Sequence, residues 1–234
     1  MSYEVTYSGV TDREVGCHAK SRPSVPAPIR RTAVSTLAGR DGSYYDTDGM
    51  FEDIVIPVSF MFSDHNRDHW HQNYRAIKEW LLSGDNGDLK FSDDAGFHYR
   101  VKSVQITSTE RIAWTIGQVD AQFTCDPYTY LDNGDTPVAF SAILQNNYSL
   151  CMPTYRVSGN GLFTLTVNGY DFTGTINGTM DIDTERMLAI QNGSEWVNTT
   201  VTGDYSKLWL KPGANDMSIT SGFTCQITPH WRCV

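Results

Sequence analysis

Apolar and polar residues alternate with a period of two along most of this chain, the signature of half-buried β-strands. Ile54, Ile56, Val58, Phe60 and Phe62 share one strand face, and Pro57 on the other face marks an edge or bulge. Phe97, Tyr99 and Val101 alternate with His98, Arg100 and Lys102. Val119, Ala121, Phe123 and Cys125 alternate with Asp120, Gln122 and Thr124. A slip of one residue would turn each of these apolar faces to water, so the pairing register is strongly specified. Helical periodicity occurs once: Trp70, Tyr74, Ile77 and Leu81 form one apolar stripe. Ser63 or Asp64 is the expected N-cap of this helix, and Gly84, able to adopt positive φ, its expected stop.

From Cys17 to Arg40 the pattern changes. Pro23, Pro26 and Pro28 withhold backbone donors, which disfavours a central strand. The segment is expected to run extended across a surface, on its own subunit or on a neighbour. The polar, turn-rich stretch Leu131-Asp-Asn-Gly-Asp-Thr-Pro137 is the best boundary between two cores. It separates residues 1–132, a β domain with one α-helix, from residues 137–234, whose short strands and glycine turns suit a β-sandwich or jelly roll. Within the second region, Asn168-Gly169 and Asn177-Gly178 are both expected to close hairpins, because type I′ turns need positive φ at both central residues.

Charge narrows the function classes. The 234 residues carry a formal charge of −9, opposite to the basic footprint of a nucleic-acid binder. No apolar run reaches the ~20 residues of a membrane-spanning helix, and Met1-Ser-Tyr-Glu-Val-Thr-Tyr lacks the basic and apolar regions of a signal peptide. Cys17, Cys125, Cys151, Cys225 and Cys233 are odd in number and have no CxxC spacing, which fits free thiols in a reducing compartment. Asn147, Asn177, Asn192 and Asn198 open glycosylation-type triplets that read as polar turns without a secretory signal.

Candidate chemistry is sparse. His65, His69 and His71 cluster with Asp64 and Asp68, and the first two could share a helix face if the helix began early enough. HExxH is absent, and a solvated helix start is the simpler account. Asp93-Asp94 and Asp181/Asp183 resemble paired carboxylates, but adjacent residues on one strand or turn do not define the separation that glycoside cleavage requires. The expectation is therefore no enzyme, no cofactor, and no catalytic, cofactor-binding or metal-binding residue. Tyr170, Trp196, Trp209 and Trp231 could stack on a sugar. Core packing is preferred for Trp209 and Trp231, Trp196 is expected to be exposed, and sugar binding is expected to be weak or absent.

Several stretches taken in order resemble one family. They are Gly39-Arg-Asp-Gly42, Phe51 to Phe62, Ile77-Lys-Glu-Trp-Leu-Leu82, Gly87 to Asp94 and Gln122-Phe-Thr-Cys-Asp-Pro-Tyr128. In the second half they are Val167-Asn-Gly169, Asp181-Ile-Asp183, Leu208 to Asn215 and Pro229-His-Trp-Arg232. This set resembles the distal tail protein (Dit) family of long-tailed siphophages. The resemblance implies an N-terminal β domain with one helix that closes a homohexameric ring, followed by a galectin-like or carbohydrate-module-like β-sandwich. It further implies a structural virion protein at the distal end of the tail, made in the bacterial cytoplasm. The implied ring joins the tail tube to the baseplate or host-adhesion hub and lets DNA pass on ejection.

The implied partners are the major tail tube protein, the tape-measure protein and the tail-associated hub or lysin protein. Receptor-binding or baseplate proteins are further contacts, and neither stable nucleic-acid binding nor a membrane is expected. A carbohydrate-binding module for a cell-surface glycan is the competing reading. The second half carries no long insertion of the kind that adds an arm or a carbohydrate module. Finally, residues 20–40 hold Lys20, Arg22, Arg30, Arg31 and Arg40 without an acid, and residues 41–53 hold Asp41, Asp46, Asp48, Glu52 and Asp53 without a base. These runs pair either across subunits or within one.

Overall fold

A computed structural model describes residues 3–84 and 87–234, leaving the side chains of Asp48 and Arg67 outside the description. The chain divides into two compact units, Met1–Thr129 with Val234, and Tyr130–Cys233. It is mainly β, with one α-helix among the described residues.

In the first unit the strands are β1 (Val5–Tyr7), β2 (Val10–Thr11), β3 (His18–Ala19), β4 (Arg30–Thr36), β5 (Ser43–Phe51) and β6 (Ile54–Ser63). After helix α1 (Trp70–Ser83) come β7 (Asp88–Phe91), β8 (Phe97–Arg111) and β9 (Ile116–Cys125). The main sheet runs β2-β1-β7-β8-β9-β6-β3. The alternation anticipated for β6 and β9 holds: Ile54, Ile56, Val58, Phe60, Phe62, Val119, Ala121, Phe123 and Cys125 are all buried. Each large apolar side chain so buried contributes about 1.5–3 kcal/mol. β8 departs from the pattern, because His98 is buried as well as Tyr99 and lies 3.8 Å from the Asp88 carboxylate.

The helix buries Trp70, Ile77, Trp80 and Leu81 on the sheet. Trp80 joins the expected stripe because its indole N–H donates to the Tyr7 carbonyl at 3.2 Å. The expected N-cap needs correction, whereas the stop at Gly84 holds for a different reason. A 3₁₀ turn (Arg67–His69) precedes α1, and His69 occupies the N-cap without a side-chain cap bond. Asp64 instead accepts from the Asn66 amide and the Asn73 side chain, at 2.8 and 3.0 Å. Gly84 ends the helix at φ −90, so positive φ is not what the position needs. Close approach is: the Tyr7 hydroxyl donates to the Gly84 carbonyl, and a Cβ at Gly84 would collide with Ser8 and Tyr7.

β10 (Thr129–Leu131) leads into the second unit, followed by β11 (Val138–Ala139), β12 (Ile143–Asn146), β13 (Thr154–Val167) and β14 (Tyr170–Asp183). Then come β15 (Leu188–Gln191), β16 (Glu195–Trp196), β17 (Val201–Thr202), β18 (Gly213–Ile219), β19 (Thr224–Thr228) and β20 (Arg232–Cys233). β13 and β14 pair over all 14 of their residues as one long ribbon. Asn168-Gly169 turns it, with φ +52 and +81, as expected for type I′ geometry.

Asn177-Gly178 makes no turn. It lies mid-strand, where Asn177 faces Asn160 and Gly178 faces Gly159. On one side of this point β13 pairs β19 and β14 pairs β15; on the other β13 pairs β18 and β14 pairs β17. The ribbon thus changes partners at Gly159, Gly161 and Gly178, whose φ values are +157, +113 and +108. Passing one ribbon between two layers at such a bend is how a sandwich turns a corner. Tyr155, Val157, Ile182 and Met180 from one half and Phe163, Leu165, Val167 and Phe172 from the other fill a common core. The Tyr155 hydroxyl is satisfied inside it by the Leu208 carbonyl at 2.7 Å.

The polar stretch 131–137 is no free tether. Leu131 is buried, its amide donates to Trp231 O at 3.0 Å, and His230 N donates to Gly134 O at 2.9 Å. His230 Nδ1 and Asp135 Oδ1 are 2.5 Å apart. Polar composition here reflects turns closed by hydrogen bonds and not an unstructured linker.

Candidate functional site

β4 and β5 form a two-stranded sheet by themselves. Val34 faces Tyr45, Ser35 faces Tyr44 and Ala33 faces Asp46. The tip Leu37–Gly42 turns with Gly39 and Gly42 at φ +81 and +85. All seven residues of β4 are exposed. Val34 and Tyr45 are 57% and 67% exposed, with Ile29, Leu37 and Tyr44 alongside. A lone two-stranded ribbon is marginal in water, and an apolar ribbon with open edges is a template for pairing with another chain.

The ribbon is rooted on its own unit. Val25, Pro26, Ala27 and Pro28 share a shallow cleft with Ile54, Tyr99, Pro127 and Thr129. Arg30 lies 5.1 Å above the Phe51 ring, and Phe51 meets Tyr128 edge-on. The proline segment therefore crosses its own subunit, and only the β4–β5 hairpin beyond it projects.

Three members of the opposite charge runs find partners elsewhere in the same unit. Arg22 meets Asp93 at 3.2 Å, Lys20 donates to Gln118, and Asp53 meets Lys102 at 2.7 Å. Lys102 also holds Asp126 at 2.8 Å. Burial works against its charge, but the bonds to Asp126 and Asp53 prevail and raise its pKa. Arg31 and Asp46 remain on the ribbon beside Ala33 and Thr47.

A second exposed feature was not nominated from the sequence. At the β8–β9 turn, the Arg111 guanidinium sits between the Trp70 and Trp114 rings, 5.3 and 5.7 Å from their centres. Trp114 is 72% exposed beside Ile112. The available signal was Ile112-Ala-Trp114 lying between two alternating runs.

The histidines do not converge. The helix begins at Trp70, so His65 and His69 share no helical face; His69 Nδ1 lies 3.3 Å from Asp64, and His71 packs edge-on to Trp70. Trp209 donates to Thr184 O and Trp231 packs at a tilt against Tyr148. Trp196 stands 75% exposed. No helix among the described residues is long and apolar enough to cross a membrane.

No family model matches the chain, and no curated protein matches it. Solved structures do. The chain is similar to the Dit protein of phage SPP1, described as a paradigm of the hub adsorption apparatus in phages infecting Gram-positive bacteria. That match has TM-score 0.68 and 15% identity, covering 97% of this chain and 98% of the other. It is similar to a chain of the phage P2 baseplate in its activated conformation with calcium, with TM-score 0.51, 8% identity and coverage of 100% and 99%. A chain of the strontium form matches at TM-score 0.50 and 8% identity, covering 96% of each. The two β units, the one α-helix among the described residues and their order along the chain thus constitute a Dit-type fold.

Proposed function

We propose that this chain is a structural, non-catalytic protein of a bacteriophage tail tip, located in the virion at the distal end of the tail. In this reading it forms a homohexameric ring that joins the tail tube to the baseplate or host-adhesion hub and lets DNA pass. Its partners are the major tail tube protein, the tape-measure protein and the tail-associated hub or lysin protein, with receptor-binding or baseplate proteins as further contacts. The observation that carries this reading is the exposed apolar β4–β5 ribbon on a Dit-type fold.

A closed ring requires a heterologous interface, in which one patch meets a different patch on the next copy. The ribbon supplies one patch, and the Trp114 turn is a second exposed apolar feature of the same unit. The charge of −9 disfavours retention of a polyanion such as DNA. Size-exclusion chromatography with light scattering, on the chain alone and with a tail tube protein, tests the proposal. Val34→Asp with Tyr45→Asp is expected to leave a folded monomer where the parent forms a ring. A normal ring from that variant refutes the ribbon's role; a parent that stays monomeric even with the tube protein refutes the hub.

A further inference from the structure

The outward face of the layer β11-β19-β13-β14-β15-β16 holds a row of side chains that the register lines up across five strands. Gln226 faces Arg156, Arg156 faces Asp181, Asp181 faces Ile190, and Ile190 faces Trp196. Directly opposed residues of antiparallel strands share a face. The intervening residues Tyr155, Val157, Ile182, Ala189, Cys225 and Ile227 are buried, which confirms that the row points outward. Arg156 grips Asp181 through two bonds, Nε to Oδ1 at 2.6 Å and Nη2 to Oδ2 at 2.8 Å. Trp196 closes the row on the edge strand.

The surroundings leave the row accessible. The flanking positions in the same strands are Thr154, Thr228, Asp183 and Leu188 on one side, and the short Ser158, Thr179 and Thr224 on the other. Strands lie about 4.8 Å apart, so Trp196 stands roughly 10 Å from Asp181, the span of about two pyranose rings. Between them Ile190 is half-buried and offers an apolar floor. An exposed indole suits the C–H face of a sugar. The planar ends of Arg, Asp and Gln present donors and acceptors at the spacing of vicinal hydroxyls.

We infer that this face binds a neutral oligosaccharide, stacking one ring on Trp196 and hydrogen-bonding the rings farther along the row through Asp181, Arg156 and Gln226 in turn. Neutrality follows from charge. Arg156 is already compensated by Asp181, and Arg186 beside it lies 3.9 Å from Asp183, so an anionic glycan meets no cation without a carboxylate partner. The site lies within one unit and does not rest on ring formation.

Saturation-transfer NMR on the full chain, with cellohexaose, maltohexaose and chitohexaose as neutral probes and a hyaluronan hexamer as the anionic one, tests the inference. At least one neutral probe is expected to receive saturation, with millimolar affinity. Trp196→Ala is expected to weaken it about tenfold or more, and Arg156→Met or Gln226→Ala to weaken it too, while Leu162→Ala, at an exposed position outside the row, leaves it unchanged. Circular dichroism reports whether each variant remains folded; Trp196 and Gln226 project from the surface, so at least these two remain informative. Transfer to none of the neutral probes overturns the inference. So does transfer that survives Trp196→Ala, or a preference for hyaluronan.

Discussion

If the β13–β14 ribbon passes between two layers at its glycines, alanine there should destabilise the second unit by amounts that follow the local geometry. Gly161 has φ +113 and nothing within 4 Å of a built Cβ, so Gly161→Ala isolates the backbone term. That term is about 1–3 kcal/mol for an L-residue in this region. It is offset by roughly 0.4–1 kcal/mol from the lower entropy of the unfolded chain. Gly178 has φ +108, and its Cβ would lie 2.5 Å from Asn192 Oδ1. That oxygen accepts from Thr179 N at 3.1 Å, while Asn192 Nδ2 donates to Asn177 O at 3.2 Å. Moving Asn192 aside sacrifices bonds that contribute about 1 kcal/mol each. The net expectation is roughly 1 kcal/mol for Gly161→Ala and roughly 2–3 kcal/mol for Gly178→Ala.

For a unit near 100 residues, each kcal/mol moves the thermal midpoint by roughly 4–8 °C. Calorimetry or circular dichroism on the two variants should show two graded downward shifts in one transition. Equal shifts would show that Asn192 gives way freely. Two variants as stable as the parent would refute the bend.

Three further outcomes are expected. Proteinase K with mass-spectrometric mapping should cut first in the exposed Leu37–Gly42 turn, because 131–137 is held by backbone bonds to His230 and Trp231; a first cut within 131–137 would refute this. In native protein at neutral pH, Cys233 should alkylate before the four buried cysteines, since burial raises the Cys17, Cys125 and Cys225 thiols to about 12; earlier labelling of any of those three counts against the packing. Raised folded-state pKa values mean that these thiols support folding below about 9, and that this support is lost as pH climbs from there to about 12. Urea midpoints should therefore fall across that window, less so in a Cys17→Ala, Cys225→Ala variant.

Local pattern determined much of this protein. The period-two alternation of Ile54–Phe62 and Val119–Cys125 and the stripe from Trp70 to Leu81 specify which faces turn inward, because burial acts on neighbouring side chains at fixed spacing. The Asn168-Gly169 turn was legible for the same reason: its backbone requirement is local. Asn177-Gly178 carries the same dipeptide, yet a facing Gly159-Asn160-Gly161 in a paired strand converts its conformational freedom into a bend. Polarity alone could not distinguish the hydrogen-bonded turns of 131–137 from a tether, since the partners at 230–231 lie about a hundred residues away. Arg30-Arg-Thr-Ala-Val-Ser-Thr36 and Ser43-Tyr-Tyr-Asp-Thr47 did carry a hairpin signal around Gly39–Gly42, outweighed by the prolines before them. Only tertiary structure left that hairpin without a covering sheet. Only strand register brought Gln226, Arg156, Asp181 and Trp196 into one row, because residues far apart in sequence become neighbours solely through pairing.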